Sequence, residues 1–219
     1  MENVTTPLLE NTVNKEQILH WYMNDILEGN EPKNVYLFSK NHGIDEQIFY
    51  QFYNGFDGIE NHFFELIFDK TYETMLHTEA YLNYPPKEKL LSLYYTFFGN
   101  LTQNRSFVMY LLKNIKIENL KKLSGLRKKF IAFVSTLEID KLNLRQKDLN
   151  KLQDRAMEEA AWLQFLSVLK FWINDKSAGF EKTDIFIEKS LTAGFDLINT
   201  SPLKSVADLG KFIYKEFRS

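Results

Sequence analysis

The sequence predicts an all-α protein, with a three-helix unit near its N-terminus and a larger helical bundle after it. Turn-forming residues are scarce: the 219 residues include nine glycines and five prolines, whereas an average chain has about 12% of the two together. No proline occurs between Pro86 and Pro202, which favours long helices because proline interrupts a helix. Apolar residues recur three and four positions apart, as one face of a helix requires.

Ten helices are expected, and several have recognisable ends. Gly43 suits a left-handed turn between two short helices, and Asp45 can cap the second of them. Asp57 and Glu60 have the spacing of a capping box, and Pro202 follows a serine at the start of the last helix. The expected helices are 15–28, 34–41, 45–53, 57–80, 86–100, 104–115, 117–138, 145–175, 181–200 and 203–217.

Residues 34–53 have the layout of a helix-turn-helix motif. Ser39 is small at a point where two crossing helices must approach closely, and helix 15–28 would support the pair. Phe49 and Tyr53 are expected to pack the unit together, since conspicuous aromatic residues are usually buried. The pattern therefore predicts a small unit that presents its second short helix to a partner.

This part of the chain resembles the TetR family of bacterial transcription regulators. His42 to Asp45 is similar to the family's Ala-Gly-Val-Ser turn, and Phe49 to Tyr53 resembles its Leu-Tyr-x-His-Phe recognition-helix signature. Gly55 to Ile59 resembles the Ser-Lys-Glu-x-Leu that follows, and Phe171 to Ser177 is similar to the family's C-terminal pattern. The expected organisation is a disordered tail (1–14), a helix-turn-helix DNA-binding-like domain (15–56) and a helical ligand-binding and dimerisation domain (57–219).

The resemblance implies a dimeric regulator that binds a DNA operator through its N-terminal unit. Glutamine side chains can read the edge of adenine, and lysine, asparagine and tyrosine can contact phosphates. The candidate DNA-binding residues are Lys33, Asn34, Lys40, Gln47, Tyr50 and Gln51.

The charge of the N-terminal part supports a second hypothesis. Residues 1–60 carry ten acidic side chains and only three lysines, and an acidic surface repels DNA. Glu46 stands where relatives often carry a basic residue, and Phe56 replaces the usual lysine after the recognition helix. The alternative is a TetR-fold protein that has lost DNA binding and acts as a lipid- or isoprenoid-binding module or a protein-interaction module.

The larger domain is rich in aromatic residues, which make up 15% of the whole chain. In TetR-like proteins this bundle encloses a ligand cavity, so the resemblance implies an apolar small-molecule or lipid-like ligand. A solid core of packed rings is the other interpretation. The candidate ligand-binding residues are Phe64, Phe68, Tyr94, Phe98, Tyr110, Phe133, Trp162 and Phe165.

The segment from Ala156 to Ile173 is apolar almost all round, so both sides of this helix must be covered. One side would face its own core, and the other would face a second subunit, with helix 181–200 completing a two-fold four-helix interface. The sequence therefore predicts a homodimer. The candidate interface residues are Leu166, Leu169, Ile173, Ile187, Leu191 and Phe195.

Several other classes of protein have no support in the sequence. There is no cysteine, no glycine-rich phosphate loop and no catalytic serine or zinc motif, so we expect neither an enzyme nor a cofactor. Acidic and histidine residues at helical spacing between His62 and His77 are interpreted as a solvated face rather than a metal site. No signal peptide or long apolar run is present, so a cytoplasmic protein without integral membrane association is expected. The basic segment 113–129 and the last helix could each lie on the bundle or meet an anionic surface.

Overall fold

The computed structural model describes residues 13–112, 121–139 and 147–199. Within these ranges every regular element is a helix and no strand occurs, which confirms the all-α fold class. No helix in the described ranges is long and apolar enough to cross a membrane. The α-helices are α1 (Lys15–Leu27), α2 (Val35–Asn41), α3 (Glu46–Phe52), α4 (Phe56–Leu76), α5 (Pro86–Gln103), α6 (Arg105–Leu111), α7 (Ser124–Thr136), α8 (Lys147–Asn174) and α9 (Glu181–Asn199).

The helix predicted at 57–80 ends earlier than expected. It stops at Leu76, and a short 3-10 turn follows at Glu79–Asn83. Thr78 is extended between the two, which directs the Tyr81 ring into the interior, where only 5% of it stays exposed. Burial of this ring outweighs continuation of the helix. The helix predicted at 203–217 lies outside the described residues.

The chain forms two compact units, which divide between Phe63 and Phe64. In the first unit, the fully buried ring of Phe38 is the centre of the core. It meets the rings of Phe49 and Phe56 edge-on, at centroid distances of 5.7 and 5.8 Å, and the ring of Tyr22 at 6.4 Å. Such edge-to-face pairs stabilise beyond the area that they bury.

In the second unit, α5 packs against α9, α7 against α8, and α8 against α9. The core is a cluster of aromatic rings around Phe165, which is fully buried. This ring lies 4.8 Å from the ring of Phe130 and stacks on Trp162 at 5.4 Å. We call these rings, with Tyr94, Phe97, Phe98 and Trp172, the aromatic cluster.

Arg105 fixes the end of α8. Its guanidinium donates to the backbone carbonyls of Trp172 and Ile173, each at 3.2 Å, and so satisfies carbonyls that the helix end leaves without partners. The same group lies between the rings of Trp172 and Phe180, 4.4 and 4.5 Å from their centroids. These cation–π contacts hold Phe180 at a φ of +62°, a strained left-handed conformation for a residue with a side chain.

Candidate functional site

The turn between α2 and α3 is tight and centred on a glycine. Gly43 adopts a φ of +67°, which glycine tolerates without strain. The amide of Ile44 donates to the Ser39 carbonyl at 3.0 Å, and Asp45 accepts from the Gln47 amide at 2.7 Å. Both features follow the sequence: the glycine makes the turn and the aspartate caps α3.

His42 joins this turn to α1. Its ring stacks on Trp21 at a centroid distance of 4.9 Å with an interplanar angle of 8°. Its Nε2 atom lies 2.9 Å from a carboxylate oxygen of Asp25. Sequence reasoning missed this contact, because nothing in the local pattern links a turn residue to two positions on an earlier helix.

The exposed face of α3 is polar. Phe49 is fully buried and Tyr53 is 5% exposed, whereas Tyr50 is 54% exposed. Gln47 and Gln51 are also exposed. Of the residues predicted to meet DNA, these three therefore lie on the accessible surface of one short helix, at positions three and four apart that share a face.

The remaining candidates lie on or beside α2. Lys33 and Lys40 are exposed. The side-chain oxygen of Asn34 accepts from the Leu37 amide at 2.8 Å and caps α2, so only its amide nitrogen could donate to a phosphate. Tyr36, which is 58% exposed, was not among the candidates. It lies one helical turn before Lys40 on the same face, and that spacing was the available signal.

The acidic residues of the first unit are not all free to oppose DNA. Asp25 is paired with His42, and buried Glu60 accepts a hydrogen bond from the Tyr22 hydroxyl at 3.0 Å. Asp45 is used as the cap of α3. The half-buried Glu46 and exposed Asp57 remain close to α3 in the chain.

The predicted ligand-binding residues are mostly in the interior of the second unit. The structure buries seven of the eight and leaves Tyr110 half-buried. Tyr94, Phe98, Trp162 and Phe165 belong to the aromatic cluster, where ring contacts with Phe165 span 5.4 to 5.9 Å. The buried ring of Phe133 meets that of Phe68 at 6.5 Å. These side chains pack against one another in the structure.

A chain of side-chain hydrogen bonds enters the aromatic cluster. The hydroxyl of Tyr94 donates to the side-chain oxygen of Gln164, whose amide nitrogen donates to the Ser190 hydroxyl at 2.9 Å. Burial raises the pKa of Tyr94 well above its ordinary value, so the phenol stays protonated and acts as a donor. The chain links α5, α8 and α9.

The predicted dimer-interface residues divide into two sets. Leu169, Ile187 and Leu191 are buried in the core of their own protomer. Leu166, Ile173 and Phe195 are half-buried. The large apolar side chains that α8 and α9 expose were not among the six candidates. They are Leu163, Phe171, Ile185 and Leu197, at 63, 36, 51 and 61% exposure.

Two side chains of the acidic and histidine row between His62 and His77 make hydrogen bonds. The ammonium of Lys129 donates to both oxygens of Asp69, at 2.7 and 2.9 Å. The Nδ1 atom of His77 lies 2.7 Å from the carbonyl of Glu73. Among the described residues, no three histidine, aspartate or glutamate side chains are grouped so that they could hold a metal ion.

These features define an all-α protein with two short helices, α2 and α3, in its first unit and a helical bundle with an aromatic core as its second. A model of the tetracyclin repressor-like C-terminal domain matches residues 89–213, more than half of the chain. The chain therefore belongs to the TetR family. The match lies within the second unit. None of the curated proteins matches the chain.

Proposed function

We propose that the chain is a cytoplasmic, dimeric transcription regulator that binds DNA through α2 and α3 and responds to an apolar small molecule in its second unit. The observation that carries the proposal is the exposed face of α3. Gln47, Tyr50 and Gln51 point away from a core that fixes the helix from the other side. A rigid short helix with exposed amide side chains can enter the major groove and contact base edges.

Phosphate contacts would be few, and this sets the salt dependence. The first unit exposes two lysines, Lys33 and Lys40, while Lys15 is half-buried with its ammonium 5.2 Å from the centroid of the Tyr53 ring. Two lysines per protomer give a dimer about four phosphate charges to neutralise, so log Kd should change with log salt by a slope of roughly 4. Specificity would then depend mainly on the glutamines and on shape.

The first prediction concerns the glutamines of α3. Gln47→Ala and Gln51→Ala are each expected to weaken binding to operator DNA about tenfold, since a paired glutamine–adenine contact contributes ~1–3 kcal/mol. Binding to the region upstream of the protein's own gene is measured by fluorescence anisotropy between about 25 and 200 mM salt. Phosphate attraction weakens markedly over this range.

The matched control is Gln103→Ala, which removes an exposed glutamine from α5 and should leave the affinity unchanged. Two results would count against the regulator. One is the absence of binding by the unmodified chain at the lowest salt, where phosphate attraction is strongest. The other is equal affinity of all three variants.

We further propose that the exposed face of α8 and α9 forms the dimer interface. On α8, Leu163 shares this face with the small residues Ala156 and Ala160, which allow another helix to approach closely. Ile185 and Leu197 project from α9. A partner that covers these side chains removes apolar surface from water, and a two-fold axis makes the same patch meet itself.

The second prediction is that Leu163→Glu separates the subunits. Because both subunits carry the substitution, the two-fold interface would bury two carboxylates. The dimer dissociation constant should therefore rise at least about thirtyfold, as for an interface hot spot. Native mass spectrometry over a concentration series gives the ratio of dimer to monomer. Leu82→Glu is the control, because Leu82 is 68% exposed and lies outside this face. An unchanged dimer in Leu163→Glu would place the interface elsewhere.

The effector part of the proposal is supported by the aromatic cluster and the polar chain that enters it. The rings of Tyr94, Phe165 and Trp162 are in contact, so an apolar molecule could enter only if they separate. Two arrangements of the same core, one favoured by the ligand, are what a sensor requires. The native mass spectra also report any apolar molecule retained by the purified chain.

The alternative function, a lipid- or isoprenoid-binding module without DNA binding, is favoured by the small number of exposed lysines in the first unit. It uses the same aromatic cluster as the regulator. An apolar molecule in the native mass spectra, together with no DNA binding at low salt, would support the alternative over the regulator.

A further inference from the structure

An open cavity of about 530 Å³ lies where α8 ends and α9 begins. Neither DNA binding nor the aromatic cluster uses it, and none of its lining residues is among those assigned to the dimer face. The volume is within the range of ~300–1,000 Å³ that small-molecule sites occupy. Its lining residues are Ser167, Lys170, Phe171, Asn174, Asp175, Lys176, Ser177 and Lys182.

Three lysines from three different segments surround this cavity. Lys170 comes from α8, Lys176 from the connector and Lys182 from α9. Within the described residues, the ion pairs of Asp25, Asp69 and Glu159 are made with His42, Lys129 and Arg127 and not with these lysines. Like charges around a concavity raise the local positive potential, which attracts an anion.

The one carboxylate in the lining is already engaged. Asp175 accepts from the amide and hydroxyl of Ser177, at 2.8 and 2.7 Å, and from the amide and hydroxyl of Thr183, at 2.9 and 2.7 Å. Burial raises the pKa of Asp175, but these four hydrogen bonds outweigh it and lower the pKa to about 2. Asp175 therefore orders the start of α9 and forms no ion pair with the three lysines.

The other acidic residues near the start of α9 are Glu181, Asp184 and Glu188, and the pKa of Asp184 is raised by burial and then by the charges of Asp175 and Glu181. The pKa of Tyr95, on α5, is raised by burial and then by Glu188 and Asp184. Neither of these two acids lines the cavity. The amides at the start of α9 are also used, since those of Lys182 and Thr183 donate to Ser177 and Asp175. The groups that could bind a ligand charge are therefore the lysine ammoniums.

The cavity has one flat apolar wall. Phe171 stacks on Phe186 with ring centroids 4.6 Å apart and an interplanar angle of 13°, and 36% of Phe171 is exposed. A second planar group can lie against such a ring, as aromatic pairs do in offset stacks. Asn174, Ser167 and Ser177 also line the cavity, and their side chains already donate to the Lys170 carbonyl, the Leu163 carbonyl and the Asp175 carboxylate, respectively.

We propose that this cavity binds a small organic anion, in which a carboxylate or phosphate is attached to a planar apolar body. Lys170, Lys176 and Lys182 contact the anionic group, and Phe171 contacts the planar part. Ammonium–phosphate and ammonium–carboxylate hydrogen bonds are among the strong ones in proteins. The site is distinct from the aromatic cluster, none of whose rings lines the cavity.

The test is isothermal titration calorimetry of the full chain, in its own oligomeric state, with four probes at low salt. Phenyl phosphate and benzoate represent the two anionic groups, inorganic phosphate lacks the apolar body, and phenol lacks the charge. We expect saturable binding of phenyl phosphate or benzoate, binding at least about threefold weaker for inorganic phosphate, and none for phenol. Raising the salt should weaken the binding, because solvent ions screen partly exposed charges.

Variants assign the binding to this cavity. Lys170→Ala and Lys182→Ala are each expected to lower the affinity for the anionic probes about three- to tenfold, the range for a partly exposed charge contact. Phe171→Ala should weaken phenyl phosphate but not inorganic phosphate. Lys189→Ala is the matched control, since Lys189 is an exposed lysine of α9 outside the lining. No saturable binding of either aryl anion, or an equal loss in Lys189→Ala, would overturn the proposal.

Discussion

Phe165→Ala is expected to destabilise the second unit by about 3–5 kcal/mol, the range for truncating a buried phenylalanine. The side chain is fully buried, and its loss leaves a space that the neighbouring rings can fill only in part. Urea unfolding followed by tryptophan fluorescence measures the change, because Trp162 and Trp172 report from the same core. The rings in contact with Phe165 are those of Tyr94, Phe97, Phe98, Phe130 and Trp162.

Two comparisons separate packing from general loss of apolar surface. Leu82→Ala removes a side chain that is 68% exposed, so its effect should stay within about 0.5 kcal/mol. Phe165→Leu keeps much of the volume and should lie between the two. A loss below about 1 kcal/mol in Phe165→Ala would show that the ring is not tightly packed.

The same variant bears on the effector proposal. A dry apolar cavity of this kind can bind a benzene-sized molecule, so benzene should restore part of the lost stability of Phe165→Ala and have little effect on the unmodified chain. If benzene instead stabilises the unmodified chain equally, the aromatic cluster already has space for a ligand. Either result measures how closed the cluster is.

The sequence was most informative where a local chemical rule fixes the backbone. The turn glycine at position 43 adopts the left-handed φ that its place between two short helices predicted, and Asp45 caps α3. The fourth helix was less predictable. No helix breaker separates Leu76 from Glu79, and the end is determined by burial of Tyr81, a tertiary effect that overrides local propensity.

The periodicity of apolar residues could not predict contacts between residues far apart in the chain. His42 meets Trp21 and Asp25, and Arg105 meets carbonyls that are 67 and 68 residues further along the chain. Phe180 at a φ of +62° contradicts the preference of its own residue type and persists because the surrounding contacts hold it. Such pairings depend on how helices pack, which no single segment encodes.

The residues of the proposed dimer face could not be identified from the sequence either. A helix that is apolar on all sides does not reveal which side its own protomer covers. Helical spacing placed Leu169 and Leu163 in one apolar segment, but the structure buries the first and leaves the second 63% exposed. The packing of α7 and α9 against α8, with rings of α5 on Phe165, makes that distinction, so the surface left for a partner could be named only from the structure.

Phe38→Ala is expected to loosen the first unit selectively. Phe38 is fully buried and its ring meets those of Phe49 and Phe56, so truncation should remove about 3–5 kcal/mol from a small core. Hydrogen exchange read by mass spectrometry should show lost protection in α2 and α3, while α5 and α8 keep theirs. Local opening of this kind is what exchange detects.

In Phe38→Ala, DNA affinity should fall together with the protection of α2 and α3 from hydrogen exchange. The reason is that the glutamines of α3 are positioned only when the core holds the helix. Tyr36→Ala separates the two effects: Tyr36 is on the same helix and 58% exposed, so its removal should leave exchange in α2 and α3 unchanged even where a phosphate contact is lost. Unaltered exchange in Phe38→Ala would contradict the role of this ring. Lost protection with unaltered DNA affinity would show that operator binding does not depend on the arrangement of α2 and α3.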